Sequence, residues 1–283
     1  MPKAFLIDTT RCTACRGCQI ACKEWHNLPA NVTKQRGSHQ NPPDLNPNNL
    51  KIVRFHEHLD EKGNVVWNFF PDQCRHCLTP ICVDLAELAV PGSMIRDKDT
   101  GAVLVTEKCK QLSEADVKAI IAACPYNIPR YNEQTKMLTK CDMCIDRVSA
   151  GLQPMCVKTC PTGAMLFGER AEVLEEAQKR LARIKERHPK ARLVDTEEVS
   201  VIYLLAEEPK FYHEFATDGF GVYTVEAGNH KEIVDTAIHS QTADSVFGYQ
   251  LFGQRVPAGM PTIRSAVRGS SNGNPSYAHT PRS

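Results

Sequence analysis

No apolar run in this 283-residue sequence approaches the length of a membrane span; the longest, around Val199–Leu205, suits a buried strand. The N-terminus, MPKAFLIDTT, lacks the apolar core of a secretory signal and has no twin-arginine pair, so the chain by itself is expected to stay in the cytoplasm. Charge of one sign is not in excess. With 34 basic and 33 acidic residues the formal net charge is +1, which gives no electrostatic case for nucleic acid or a membrane surface. Also missing are a Gly-rich loop that would cradle a nucleotide, a nucleophile paired with a base, and a metal site with a position open to substrate.

Cysteine is what the sequence has in quantity. Thirteen lie at positions 12, 15, 18, 22, 74, 77, 82, 109, 124, 141, 144, 156 and 160. An odd number arranged in C-x2-C pairs argues against a disulfide framework and for thiolate ligands to a metal. The first four, CTACRGCQIAC, read C-x2-C-x2-C-x3-C, the run in which three thiolates hold one [4Fe–4S] cube and the fourth reaches a neighbouring cluster. Permissive residues such as Ala14 and Gly17 are expected where the chain wraps the cube, and the x3 step is expected to enter a helical turn. Structural zinc draws C-x2-C knuckles with a long spacer, which four cysteines within eleven residues do not provide.

The last group, Cys141-x2-Cys144-x11-Cys156-x3-Cys160-Pro161, begins and ends like the same run. Crossed ligation then gives Cys12, Cys15, Cys18 and Cys160 to one cube and Cys22, Cys141, Cys144 and Cys156 to a second. The middle segment repeats the scheme with losses. Cys74-x2-Cys77-x4-Cys82 and Cys124-Pro125 supply a third cube, while the four positions of a fourth fall on Ala86, Glu114, Val117 and Ile120. Loss of all four together describes a discarded site rather than a damaged one. Three [4Fe–4S] clusters take twelve cysteines, and Cys109 is left as a non-ligand. SEADVKAIIAAC, with Ser113 as N-cap and Asp116 three residues on, predicts an amphipathic helix whose aliphatic side chains fill the discarded site. His76, inside CRHC, reads as a donor beside the ligands or a solvated side chain rather than a ligand.

The remaining segments give an α+β chain: two ferredoxin-like [4Fe–4S] modules followed by a helix, a strand and an extended tail. Residues 1–30 with 135–168 form the first module, with two clusters; residues 50–134 form an inserted second module, with one cluster and the discarded site. KAFLIDT (3–9) predicts a strand, VRFHEHL and VVWNFF a hairpin around DEKGN, and Arg170–His188 a helix with an apolar stripe of Val173, Leu174, Ala177, Leu181 and Ile184. VSVIYLLA predicts a strand within 169–216, and 217–283 reads as an extended C-terminal arm. Tyr223, Phe247, Tyr249, Leu251 and Phe252 make that arm costly to leave in water, which favours a strap over a partner subunit.

Cubes with four thiolates each have no iron free for substrate, so the chain reads as an electron wire. The phrases DTTRCTACRGCQIACKEWH, FFPDQCRHC, ACPYNIPR, KCDMCIDR, CPTGAM and PKFYHEF, over residues 1–215, resemble the iron–sulfur subunits of molybdopterin oxidoreductases. They are most similar to the beta subunit of soluble tungsten or molybdenum formate dehydrogenases. The resemblance implies a catalytic alpha subunit holding a tungsten or molybdenum bis-pterin centre in a heterodimer. It also implies a c-type cytochrome or other redox acceptor, no membrane span, and a periplasmic location reached by co-export with the catalytic subunit, or a cytoplasmic one if that partner lacks an export signal. Two other readings compete. One is the same wire serving a dimethyl sulfoxide, polysulfide or nitrate reductase or a hydrogenase; the other is a zinc-stabilised interaction module.

Overall fold

The computed structural model of the protein describes residues 2–216, so the arm expected from residue 217 lies outside the described residues. In chain order the elements are β1 (Lys3–Asp8), α1 (Gly17–Trp25), β2 (Ile52–Leu59), β3 (Val65–Asp72), α2 (Ile81–Ala89), β4 (Met94–Arg96), β5 (Val103–Val105), α3 (Glu114–Ala122), β6 (Arg130–Asn132), β7 (Met137–Thr139), α4 (Ile145–Ser149), α5 (Met155–Lys158), β8 (Met165–Glu169), α6 (Arg170–Lys185), β9 (Arg192–Val194) and β10 (Val201–Leu205). This is a mixed helix and strand chain, as its sequence predicts.

Alternation in β1 organises the frame. Ala4 and Leu6 face one way and meet Val173 and Ala177 of α6 together with Ile202 and Leu204. Phe5 and Ile7 face the other way into a core shared with Cys18, Met143, Cys156, Val157 and Tyr203. Both faces of β1 are therefore buried, the condition under which a strand reads as a continuous apolar run. Its neighbours explain why. β10 runs parallel to it, with Phe5 opposite Val201 and Asp8 opposite Leu204, and β8 runs antiparallel, with Phe5 opposite Phe167. With β9 the sheet order is β8-β1-β10-β9. The α6 stripe covers the outer face, and each fully buried Leu or Val contributes about 1.5–3 kcal/mol.

β2 and β3 pair from Ile52 opposite Asp72 to Leu59 opposite Val65. The turn is closed by the Asp60 carboxylate, which accepts from the N–H groups of Lys62 and Asn64, while Gly63 takes the left-handed conformation (φ 81) that the turn requires. The inner end of this hairpin leads directly into Cys74, which is buried. There Asp72, buried and salt-bridged to Arg54 and Arg75, anchors the start of the CRHC loop.

Candidate metal centres

The cysteine loops share a backbone device. In three C-x2-C steps the residue before the second cysteine is left-handed although it carries a side chain: Ala14 (φ 53), His76 (φ 47) and Met143 (φ 67). That region costs an L-residue about 1–2 kcal/mol. The return is an amide aimed at sulfur. The His76 N–H donates to Cys74 Sγ at 3.4 Å and the Met143 N–H to Cys141 Sγ at 3.4 Å. The Cys12 thiol is raised by burial, against which an amide bond from Ala14 pulls it down. Gly17, expected as a permissive position, is instead the first residue of α1, and the left-handed residue in that step is Arg16 (φ 60). α1 carries both Cys18 and Cys22, one helical turn apart, so the x3 step is helical.

The sulfurs fall into neighbourhoods that sequence distance does not suggest. Cys12 feels the sulfurs of Cys160 and Cys15. Cys22 is raised by burial and then by Cys156 and Cys144; Cys141 is raised by burial, then by Cys22 and, further down, by Cys74 and Cys156. Cys74, Cys77, Cys82 and Cys124 line a single cavity, walled by Pro80, Val103, Tyr126, Ile128 and Lys140. Burial pushes the thiols up, Cys18 and Cys144 to about 12 and Cys124 to about 11. Cys160 goes the other way, because the amides of Met165, Thr162 and Ala164 and the Thr162 hydroxyl outweigh its burial. The raised thiols stay protonated at neutral pH unless a metal displaces the proton, and none of the thirteen is in a disulfide.

Two lysines test whether iron–sulfur clusters fit here. Lys51 is buried, and its Nζ donates to Gln73 Oε1. Lys140 is buried on the wall of the four-cysteine cavity, and its Nζ donates to the carbonyls of Val103 and, at 3.0 Å, Cys141. Among the described residues neither makes an ion pair with a carboxylate. Burial alone would lower both ammonium groups, yet sulfurs hold them above their ordinary value: Cys18 and Cys156 at Lys51, Cys74 and Cys82 at Lys140. An unpaired buried cation costs several kcal/mol. Anionic thiolate-ligated clusters supply the missing counter-charge, so the donor set and its surroundings fit [4Fe–4S] groups.

His76 is fully buried, not solvated, and its Nδ1 accepts from the Val103 N–H at 3.0 Å. His26, which the sequence did not single out, stands 3.8 Å from Cys144 Sγ and 3.4 Å from Asp142. Ser113 and Asp116 make the reciprocal capping box at the start of α3. Ala86, Val117 and Ile120 are buried between α2 and α3, whereas Glu114 is exposed. Cys109 is buried apart from the other groups, its Sγ accepting from the Leu138 N–H at 3.3 Å.

Comparison with known proteins agrees with this chemistry. A family profile described as "4Fe-4S dicluster domain" matches residues 65–170, a ferredoxin-like iron–sulfur domain within the chain. Formate dehydrogenase 2 subunit beta (cytochrome c-553) of Nitratidesulfovibrio vulgaris is 76% identical over 216 residues, 76% of this chain and 99% of the relative. Formate dehydrogenase subunit beta of Megalodesulfovibrio gigas is 51% identical over the same shares. The iron–sulfur subunit of the nitrate-inducible formate dehydrogenase of Escherichia coli is 37% identical over 221 residues, 72% of its length. The chain belongs to the iron–sulfur (beta) subunits of formate dehydrogenases, and its part in such a complex is electron transfer. Among the described residues no helix is long and apolar enough to cross a membrane.

Proposed function

We propose that this chain relays electrons through three [4Fe–4S] clusters between a catalytic alpha subunit with a tungsten or molybdenum bis-pterin centre and a c-type cytochrome or comparable acceptor. The ligand sets are Cys12, Cys15, Cys18 and Cys160; Cys22, Cys141, Cys144 and Cys156; and Cys74, Cys77, Cys82 and Cys124. Ala86, Glu114, Val117 and Ile120 mark the discarded fourth site, and Cys109 ligates nothing. The modules are 1–30 with 135–168, and 50–134, followed by 169–216. The observation that carries this reading is the cavity where Cys124 meets Cys74, Cys77 and Cys82 across some fifty residues of chain. A periplasmic site of action is supported by the relative named for cytochrome c-553.

A bound [4Fe–4S] cluster supplies a one-electron couple. The protein does the rest. Four thiolates per site leave no position for substrate, buried Lys51 and Lys140 compensate negative charge, and the apolar walls exclude water. Anaerobic iron and sulfide analysis of the purified complex, with the catalytic subunit's own share subtracted, is expected to give three clusters of four irons, twelve in all. Cys82→Ser or Cys124→Ser removes or alters one cluster signal by electron paramagnetic resonance, and Cys109→Ser leaves iron and spectra unchanged. Loss of a cluster in Cys109→Ser, or a colourless zinc protein, overturns the assignment.

A further inference from the structure

One residue touches a sulfur in each of two cysteine groups. The His76 backbone N–H donates to Cys74 Sγ at 3.4 Å, and His76 Nε2 lies 3.5 Å from Cys141 Sγ. The two sulfurs pack in one buried cluster but fall in different proposed ligand sets: Cys74 lines the cavity with Cys77, Cys82 and Cys124, whereas Cys141 is assigned with Cys22, Cys144 and Cys156. The ring's proton is placed by geometry. Nδ1 accepts from the Val103 N–H at 3.0 Å and so carries no hydrogen, which excludes the imidazolium and leaves the proton on Nε2. Nε2–H is then a donor, and the Cys141 sulfur is its acceptor.

Three constraints keep the ring there. His76 is left-handed (φ 47), its neighbour Arg75 is salt-bridged to buried Asp72, and the ring itself has no exposed surface. Two short polar contacts and one residue's covalent skeleton therefore connect the two groups without a solvent gap. A donor to a ligand sulfur favours the more negative, reduced form and so raises the potential of the cluster that sulfur holds.

We infer that His76 is a positioning residue for electron transfer: its Nε2–H sets the potential of the cluster held by Cys141, and its backbone ties that cluster to the one held by Cys74. This rests on the ligand sets proposed above.

The test uses the purified holo-complex and potentiometric titration followed by electron paramagnetic resonance. Cys141→Ser first identifies the cluster concerned. His76→Leu, at full iron content, is expected to shift that cluster's reduction equilibrium at least about tenfold toward the oxidised form, about 59 mV lower for a one-electron couple. The other clusters hold their potentials. His76→Gln, which keeps an N–H donor, recovers at least half of the shift. Since His76→Leu can impair assembly, a complex that keeps His76 provides a second readout. With histidine labelled by nitrogen-15 in a His26→Gln complex, which removes the ring 3.8 Å from Cys144 Sγ, pulsed resonance is expected to detect a coupled histidine nitrogen, and an adjacent exchangeable proton, at the cluster that Cys141→Ser alters. Unmoved potentials in a fully loaded His76→Leu complex, or no histidine coupling in the His26→Gln complex, overturn the inference. If Cys141→Ser alters no cluster, the ligand assignment is what fails.

Discussion

Asp72→Asn removes one charge from the most enclosed ion cluster beside the metal centres. Asp72 is fully buried at the end of β3, two residues before Cys74. Its carboxylate accepts from Arg54 Nε at 2.7 Å and from Arg75 Nη1 at 2.8 Å. Arg54 keeps a second carboxylate, Asp44 at 2.6 Å, but Arg75 has no other among the described residues. Instead the Arg75 guanidinium lies against Tyr203, Tyr126 and Phe70, with its carbon 4.7, 5.0 and 5.2 Å from the ring centroids. Removing one partner of a buried pair costs about 3–5 kcal/mol because the other charge stays buried. The depressed pKa of Asp72 gives a second figure. Burial would raise the Asp72 pKa, but Arg75 and Arg54 hold it at about 2 against an ordinary 3.8, which corresponds to about 2–3 kcal/mol. A loss near 3 kcal/mol lowers the unfolding midpoint of a chain this size by about 5–8 °C. Anaerobic thermal scans, followed by far-ultraviolet dichroism and bleaching of the iron–sulfur absorbance, measure it. The sign with pH is fixed: a depressed carboxylate contributes its full stability above its ordinary pKa and loses it as pH falls through about 2. The deficit of the variant is therefore largest at neutral pH. A midpoint within about 2 °C of the parent at pH 7, with full iron, refutes the reasoning.

Two further outcomes are expected. Ile120→Ala opens a cavity in the buried aliphatic packing of α3, where the discarded fourth site is proposed, and it costs about 2–5 kcal/mol in thermal scans while iron content and cluster spectra stay those of the parent. His213 is held down to about 4, first by burial and then by Arg54 and Arg75, with Asp72 and Asp44 opposing. The unfolded chain therefore binds that proton first, and stability contributed by neutral His213 falls as pH drops from about 6.5 to about 4. Thermal midpoints across that window fall less steeply in His213→Gln; parallel curves count against the assignment.

The cysteine spacing made the chemistry legible because a cube demands several thiolates from a short length of chain, and few other structures ask for that pattern. The hairpin around Gly63, the α6 stripe and the Ser113 capping box were legible for a similar reason, since each is set by residues within one element. What was not legible depends on contacts distant in sequence. β1 pairs with β10, some two hundred residues away, and nothing local in KAFLID names that partner. Lys51 and Lys140 read as surface residues until the sulfurs around them supply a reason for burial. His76 reads from the sequence as a donor beside the ligands or a solvated side chain, but its Val103 contact, which fixes the tautomer, comes from a hairpin distant in sequence.

The left-handed residues explain why such side chains escape a reading by type. Glycine is the residue that adopts positive φ without strain, so a sequence reader looks for glycine in a wrapping loop. Here Ala14, Arg16, His76 and Met143 take that conformation while Gly17 starts a helix. Two of the amides held this way donate to the sulfur two residues before, and a donor to a charged thiolate is worth about 1.5–3 kcal/mol, enough to offset the strain of about 1–2 kcal/mol. Once the backbone is held by the amide, the side chain at that position is not committed to the turn. Met143 spends it on the shared apolar core, with no exposed surface. His76 spends it on the sulfur of another cysteine group. The same backbone solution therefore serves packing in one loop and contact between groups in the other, and the choice of residue at that position is where the two loops diverge in function.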